Sequence, residues 1–173
     1  MEEFTDQRTV HTRYTSPLGD LLLTGERSFA GLTLTSLSLP GQRGVPAVRP
    51  QDRDDDVFAA VARWLDAYFA GRPTRFDLPL AAAGSPFQQR VWRALDDIPY
   101  GTTTSYGELA AVLGVPRTEI RAVGRALGAN PLLLVRPCHR VIGADGSMRG
   151  YAGDVERKVW LLTHEGALQP TLV

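Results

Sequence analysis

The sequence predicts an α+β protein of two domains: a small antiparallel sheet with a helix over residues 1–84, and a helical domain over 85–173. Three observations carry this reading. Three short stretches before residue 40 are rich in strand formers and separated by turn residues. From Ser85 onward, apolar residues recur every three to four positions, as on one face of a helix. Gly114-Val115-Pro116 then separates two such helical patterns at the distance of a helix-turn-helix.

Arg13-Tyr14-Thr15-Ser16, the turn Pro17-Leu18-Gly19-Asp20, and Leu21-Leu22-Leu23-Thr24 read as strand, turn, strand. Gly31 to Leu37 alternates apolar and hydroxyl residues at period two, the pattern of a strand with one covered face. Pro40 to Pro50, rich in Gly, Pro and Arg, is expected to be a surface loop without chemistry. The acids from Asp52 to Asp56 are expected to complement the dipole of a helix running from Val57 to Phe69, with Val57, Val61, Trp64, Leu65 and Tyr68 on its inner face. Gly71 ends it.

In the second half a helix is expected to start at Ser85-Pro86 and to stop at Pro99-Tyr100-Gly101, with Trp92 as core. Ser105-Tyr106-Gly107-Glu108 has the spacing of a capping box opening the next helix. After the Gly114 turn, Arg117 to Gly128 forms another helix. Ile120, Val123 and Leu127 make its inner face, and Arg117, Arg121 and Arg125 recur every four residues among the small Ala122, Gly124, Ala126 and Gly128. Small residues permit close approach of another backbone. Taken alone, these arginines read equally well as a solvated face.

Composition narrows the function classes. A chain of 173 residues that is 43% hydrophobic and 22% charged can bury real cores. One cysteine excludes an internal disulfide, and three scattered histidines (His11, His139, His164) show no metal-ligand spacing, so neither metal nor cofactor is expected. The acidic opening residues and the lack of an apolar run of about 18 residues predict a cytoplasmic protein with no membrane partner. Net charge is zero, yet between Gly114 and Gly150 six arginines face only Glu119 and Asp145, which points to an anionic partner.

That basic stretch contains the single cysteine, in Arg136-Pro137-Cys138-His139-Arg140. A lone cysteine is ordinarily a small buried hydrophobe. Three cationic or titratable residues within two positions instead favour an activated thiol, since the thiolate is the nucleophile and positive charge or a base promotes it.

The ordered series Phe87-Gln88-Gln89-Arg90-Val91-Trp92, Ile98-Pro99-Tyr100-Gly101, Ser105 to Ala110, Arg121-Ala122-Val123-Gly124, Asn130-Pro131, Pro137-Cys138-His139-Arg140-Val141 and Trp160 to Gly166 resembles the O6-alkylguanine-DNA alkyltransferases. Ser16-Pro17-Leu18-Gly19 and Tyr68-Phe69-Ala70-Gly71 resemble that family's N-terminal part. The resemblance implies a winged helix-turn-helix bound to double-stranded DNA, and irreversible transfer of the alkyl group from O6 of a flipped-out guanine to Cys138, once per molecule. It further implies that His139 is the base, acting through a water, and that Glu165 orients it. Tyr106 would crowd the target phosphate and protonate the departing guanine, Arg121 would fill the vacated stack, and Asn130 would be the hinge. Ala122, Gly124 and Arg125 would lie along the minor groove, and Val141 and Tyr151 beside the base.

The chain departs from the family pattern at Arg136, where an apolar residue is common, and at Ala152 and Asp154, often Ser and Gly. It also lacks the zinc-binding residues of some members and the extra cysteines of the larger adaptive-response regulators. A monomer is expected. Two other readings remain: a non-catalytic module that binds alkylated DNA, against which Cys138 argues, and a cysteine hydrolase, for which no oxyanion hole is legible.

Overall fold

A computed structural model describes residues 7–168 and divides into two compact units between Ala83 and Gly84. In the first unit, β1 (Arg8–Ser16), β2 (Gly19–Ser28) and β3 (Gly31–Ser38) form an antiparallel meander. The β1–β2 hairpin turns at Pro17-Leu18, where the Ser16 hydroxyl accepts from Leu18 N–H and donates to the Gly19 carbonyl. Leu34 on β3 extends the sheet by exchanging backbone bonds with Pro79 and Ala81.

Leu21, Leu23, Leu34 and Leu37 are buried, as the pattern requires, but the hydroxyl face is closed as well: Thr24, Ser36 and Ser38 are also buried. The Thr24 and Ser36 hydroxyls have partners, since Thr24 Oγ1 bonds both Ser36 Oγ and Thr35 Oγ1. The expectation of one covered face is therefore corrected. Cross-strand hydroxyl bonds make burial of the second face tolerable.

The helix of this unit, α1 (Ala59–Phe69), begins after a single helical turn at Asp56–Phe58. Val61, Leu65 and Tyr68 are buried as expected, together with Phe58, whereas Val57 and Trp64 are only half-buried. The first turn of α1 itself holds no acid and its start has no side-chain cap, but the turn leading into it contains Asp56, and Asp54 Oδ1 accepts from Val57 N–H at 3.3 Å. Asp52 pairs with Arg49 at 2.8 Å and Arg8 at 3.5 Å, Asp54 with Arg27 at 2.9 Å, and Asp55 with Arg53 at 2.8 Å. Specific guanidinium partners, Arg8 on β1, Arg27 on β2 and the neighbouring Arg49 and Arg53, engage these carboxylates more strongly than the diffuse helix dipole.

The second unit holds α2 (Pro86–Leu95), α3 (Tyr106–Leu113), α4 (Ile120–Gly128) and α5 (Val155–His164). Capping boxes open α2, through Ser85 and Gln88, and α3, through Ser105 and Glu108. Gly114 closes α3 at φ +69°, a left-handed conformation that favours glycine, and a single turn at Arg117–Glu119 leads into α4. The α3–turn–α4 pair is the expected helix-turn-helix. Its inner face is Val123, Ala126 and Leu127, while Ile120 is only half-buried. Trp92 lies in the core and donates Nε1–H to the Ala126 carbonyl at 2.8 Å, tying α2 to α4.

Two short strands, β4 (Thr104–Ser105) and β5 (Val141–Ile142), pair in parallel. They bring the start of α3 beside the segment that follows Cys138. No helix among the described residues is long and apolar enough to cross a membrane.

Candidate active site

Cys138 opens a single helical turn, Cys138–Arg140, at the end of a wholly buried stretch from Leu132. The loop is tightly knotted. Arg136 N–H bonds the Leu132 carbonyl, the Arg136 carbonyl accepts from Cys138 N–H at 2.8 Å, and Arg140 N–H bonds the Pro137 carbonyl. Asn130, buried at the end of α4, fastens it from both sides: Oδ1 accepts from Leu132 N–H at 3.0 Å, and Nδ2 donates to the Arg136 carbonyl at 2.9 Å. Leu134 within the loop takes φ +66°, a conformation that costs about 1–3 kcal/mol and persists only where the surroundings enforce it.

Behind the cysteine lies a buried polar chain. His139 Nε2 donates to Glu165 Oε2 at 2.6 Å, and Arg140 Nε donates to Glu165 Oε1 at 2.7 Å. Arg140 Nη1 also bonds the Ile98 carbonyl. Burial alone would raise the Glu165 carboxyl, but the His139 bond and the Arg140 guanidinium outweigh it and hold the pKa at about 2. Burial lowers the pKa of His139. The imidazole is thus neutral at neutral pH, with its proton on Nε2 against Glu165. Its Nδ1 is a buried acceptor without a partner among the described residues. That is the state of a resting base.

Burial pushes the Cys138 thiol up to about 11, opposed by a hydrogen bond from Asn130 and by the charge of Lys158. The resting sulfur is therefore a thiol. This corrects the sequence argument that Arg136 and Arg140 help to ionise it, because Arg140 is spent on Glu165 and Ile98, and Arg136 faces Asp96. The cation that acts on the sulfur is Lys158, the chain's one lysine, which the sequence reading missed. Lys158 is 1% exposed on the same face of α5 as Leu161, Leu162 and Glu165. Its Nζ donates to the Val141 carbonyl at 2.7 Å and lies 5.9 Å from the centre of the Tyr106 ring. A lysine three and four positions before two core leucines was the available signal.

Cys138 opens into a cavity of about 1100 Å³. Its walls are Tyr106, the α4 residues Arg121, Gly124 and Arg125, and Tyr151 with Ala152 on the loop before α5. Arg117, Ile120 and Arg149 also line it, and of these sequence reasoning assigned none to the site. A methyl group added at Gly124 or Gly128 would meet no protein atom within 4 Å, so internal packing does not require these glycines. Burial, then the neighbouring Cys138, raise the Tyr106 phenol, leaving it a proton donor in the cavity wall. Tyr151 packs edge-on against the His139 ring, and its buried hydroxyl has no partner among the described residues.

Cys138, Tyr106, Arg121, Gly124, Arg125 and Tyr151 are thus brought together around one cavity, with His139, Glu165 and Asn130 behind the cysteine. Two expected residues stand apart from it. Val141 is fully buried with its carbonyl engaged by Lys158, and Ala122 is half-buried on α4; neither lines the cavity. Among the described residues, no group of three or more His, Cys, Asp or Glu side chains could hold a metal ion.

Residues 86–167 match the family model for the DNA-binding domain of 6-O-methylguanine DNA methyltransferase, and residues 9–82 match the model for its ribonuclease-like domain. A methylated-DNA–protein-cysteine methyltransferase of Mycolicibacterium paratuberculosis is 46% identical over 155 residues, covering 90% of this chain and 91% of the relative. The chain belongs to the 6-O-methylguanine DNA methyltransferase family. The crystal structure of Mycobacterium tuberculosis OGT in complex with DNA superposes with a TM-score of 0.80 at 44% identity, covering 91% of this chain and 92% of that one. An O6-methylguanine-DNA methyltransferase from the archaeon Pyrococcus kodakaraensis shares the fold at 21% identity and a TM-score of 0.54. These similarities extend through both units.

Proposed function

We propose that this methyltransferase takes the alkyl group from O6 of a guanine flipped out of duplex DNA onto Cys138, irreversibly and once per molecule. One observation carries the reading: the Cys138 thiol lines the cavity with the arginines of α4, and the residue next to it, His139, is paired with the buried Glu165. Stacked in a duplex, an O6 substituent cannot meet the sulfur along the line of the C–O bond, so the base must leave the helix. Arg121 fills the space it vacates, and Gly124 and Gly128 let α4 approach the minor groove closely.

In the reaction the sulfur forms a bond to the alkyl carbon as the carbon–O6 bond breaks. The thiol proton passes through a water to His139 Nδ1, Glu165 stabilises the imidazolium, and Tyr106 supplies a proton to the guanine that leaves. The product is a thioether. Unlike an acyl thioester, it offers water no leaving group, and a second nucleophile to reopen it is lacking in a chain with one cysteine.

Methylated duplex at several-fold excess should therefore give a burst of one methyl per active protein and then stop, with a gain of about 14 Da on the Cys138 peptide. Cys138→Ala should give no burst. A sustained linear phase proportional to protein would overturn single use and restore the hydrolase reading.

Arg121 is exposed at the cavity wall on α4, apart from the buried His139–Glu165 pair. Its substitution should separate flipping from chemistry: Arg121→Ala should slow repair of duplex by about tenfold or more while leaving reaction with free O6-benzylguanine near its original rate. Equal loss on both substrates would remove Arg121 from the flipping step.

A further inference from the structure

Arg136 is a charged residue buried where the chain turns toward its cysteine. Its side chain is 7% exposed, and Nε and Nη1 are enclosed without a hydrogen-bond partner among the described residues. The carboxylate facing it is Asp96, just past the end of α2, with Oδ1 3.7 Å from Nε. Arg93, on the last turn of α2, is a like charge close enough to oppose the Arg136 cation. Asp96 is therefore the carboxylate that offsets the Arg136 charge against both its burial and Arg93.

The backbone of the same residue is the knot of the active-site loop. Its carbonyl accepts from both Cys138 N–H at 2.8 Å and Asn130 Nδ2 at 2.9 Å, and its N–H holds the Leu132 carbonyl at 2.9 Å. Two residues earlier, Leu134 is held at φ +66°. Movement of the Arg136 side chain would pull on the peptide that positions the sulfur, in a segment already kept from relaxing. We propose that Asp96 is a positioning residue for alkyl transfer, acting through Arg136 to hold the loop that presents Cys138. The inference rests on the reading of Cys138 as the alkyl acceptor.

Physical chemistry sets the test. Arg136 is buried while the Asp96 side chain is 41% exposed, so removing the carboxylate leaves an enclosed guanidinium without its counter-ion, whereas replacing the guanidinium by an apolar group as well removes that charge. In Asp96→Ala the guanidinium is driven out of its site and takes the loop with it. With Arg136→Leu in the same chain there is no charge to expel.

The experiment is the rate of Cys138 alkylation by free O6-benzylguanine as a function of pH, with folded fraction and affinity for unmodified duplex measured on each protein. Asp96→Ala should react about tenfold more slowly and with a displaced pH profile at full folded fraction, Asp96→Glu should recover most of the rate, and Asp96→Ala/Arg136→Leu should return to within about threefold of the parent. DNA affinity should stay constant throughout. The proposal is overturned if Asp96→Ala reacts like the parent, if its loss only follows the folded fraction, or if Arg136→Leu fails to rescue it. Failure of the parent itself to become alkylated on Cys138 would instead refute the underlying assignment.

Discussion

Glu165→Gln is expected to slow alkyl transfer by about a hundredfold and to lower the melting temperature by about 10 °C, with affinity for unmodified duplex nearly unchanged. The carboxylate serves two masters, His139 through Oε2 and Arg140 through Oε1. A glutamine has one acceptor oxygen. Whichever partner meets the amide N–H₂ faces donor against donor. If that partner is His139, its proton moves to Nδ1 and the lone pair needed for the thiol proton is lost. If it is Arg140, a buried guanidinium is left unpaired at about 3–5 kcal/mol. Both routes cost stability, and the first also removes the base.

The same carboxylate fixes the acid limb of stability. Its folded pKa of about 2 lies below the ordinary value of 4.5, so its contribution is complete above pH 4.5 and is lost as pH falls toward 2. Melting curves of parent and variant should differ most near neutrality and converge between pH 4.5 and pH 2. A variant with lowered melting temperature and an undiminished transfer rate would leave Glu165 a purely structural role.

The Ser105–Glu108 capping box, the helix start at Ser85-Pro86, the Gly114 turn and the small-residue arginine helix were legible because each is a local pattern whose chemistry is complete within a few residues. Cys138 and His139 were legible as neighbours in sequence. Their direction was not. Arg136 and Arg140 flank the sulfur along the chain, yet the turn at Cys138–Arg140 and the knot at Arg136 send both guanidinium groups elsewhere. The cation that does bear on it comes from Lys158, twenty residues away on α5, and sequence adjacency says nothing about such a pairing. Similarly, Asp52, Asp54 and Asp55 precede a helix, but their arginine partners include Arg8 and Arg27 on strands that only the fold brings near. Glu165 could be found only through resemblance. Nothing in a carboxylate before a glycine reveals that it is buried between an imidazole and a guanidinium.

Lys158→Met is expected to lower the rate of Cys138 alkylation by free O6-benzylguanine by about tenfold at neutral pH, and to move the alkaline limb of the rate profile upward. Methionine keeps the length of the side chain and its apolar packing on the buried face of α5, and removes the charge. In the parent, burial already pushes the thiol up to about 11, and Lys158 is one of the three influences opposing that shift, with the Asn130 side chain and a backbone hydrogen bond. Without it the thiolate becomes rarer at any given pH. One pK unit corresponds to a factor of ten in thiolate, the scale on which a single nearby charge acts. Because Nζ also ties α5 to β5 through the Val141 carbonyl, a lower melting temperature alone would not identify the effect as electrostatic. The pH profile does: a loss by misplacement reduces the rate equally at all pH values, whereas loss of the charge is overcome at high pH, where the thiol ionises without help. A profile of unchanged shape and uniformly reduced height would show that Lys158 holds the loop and does not tune the sulfur.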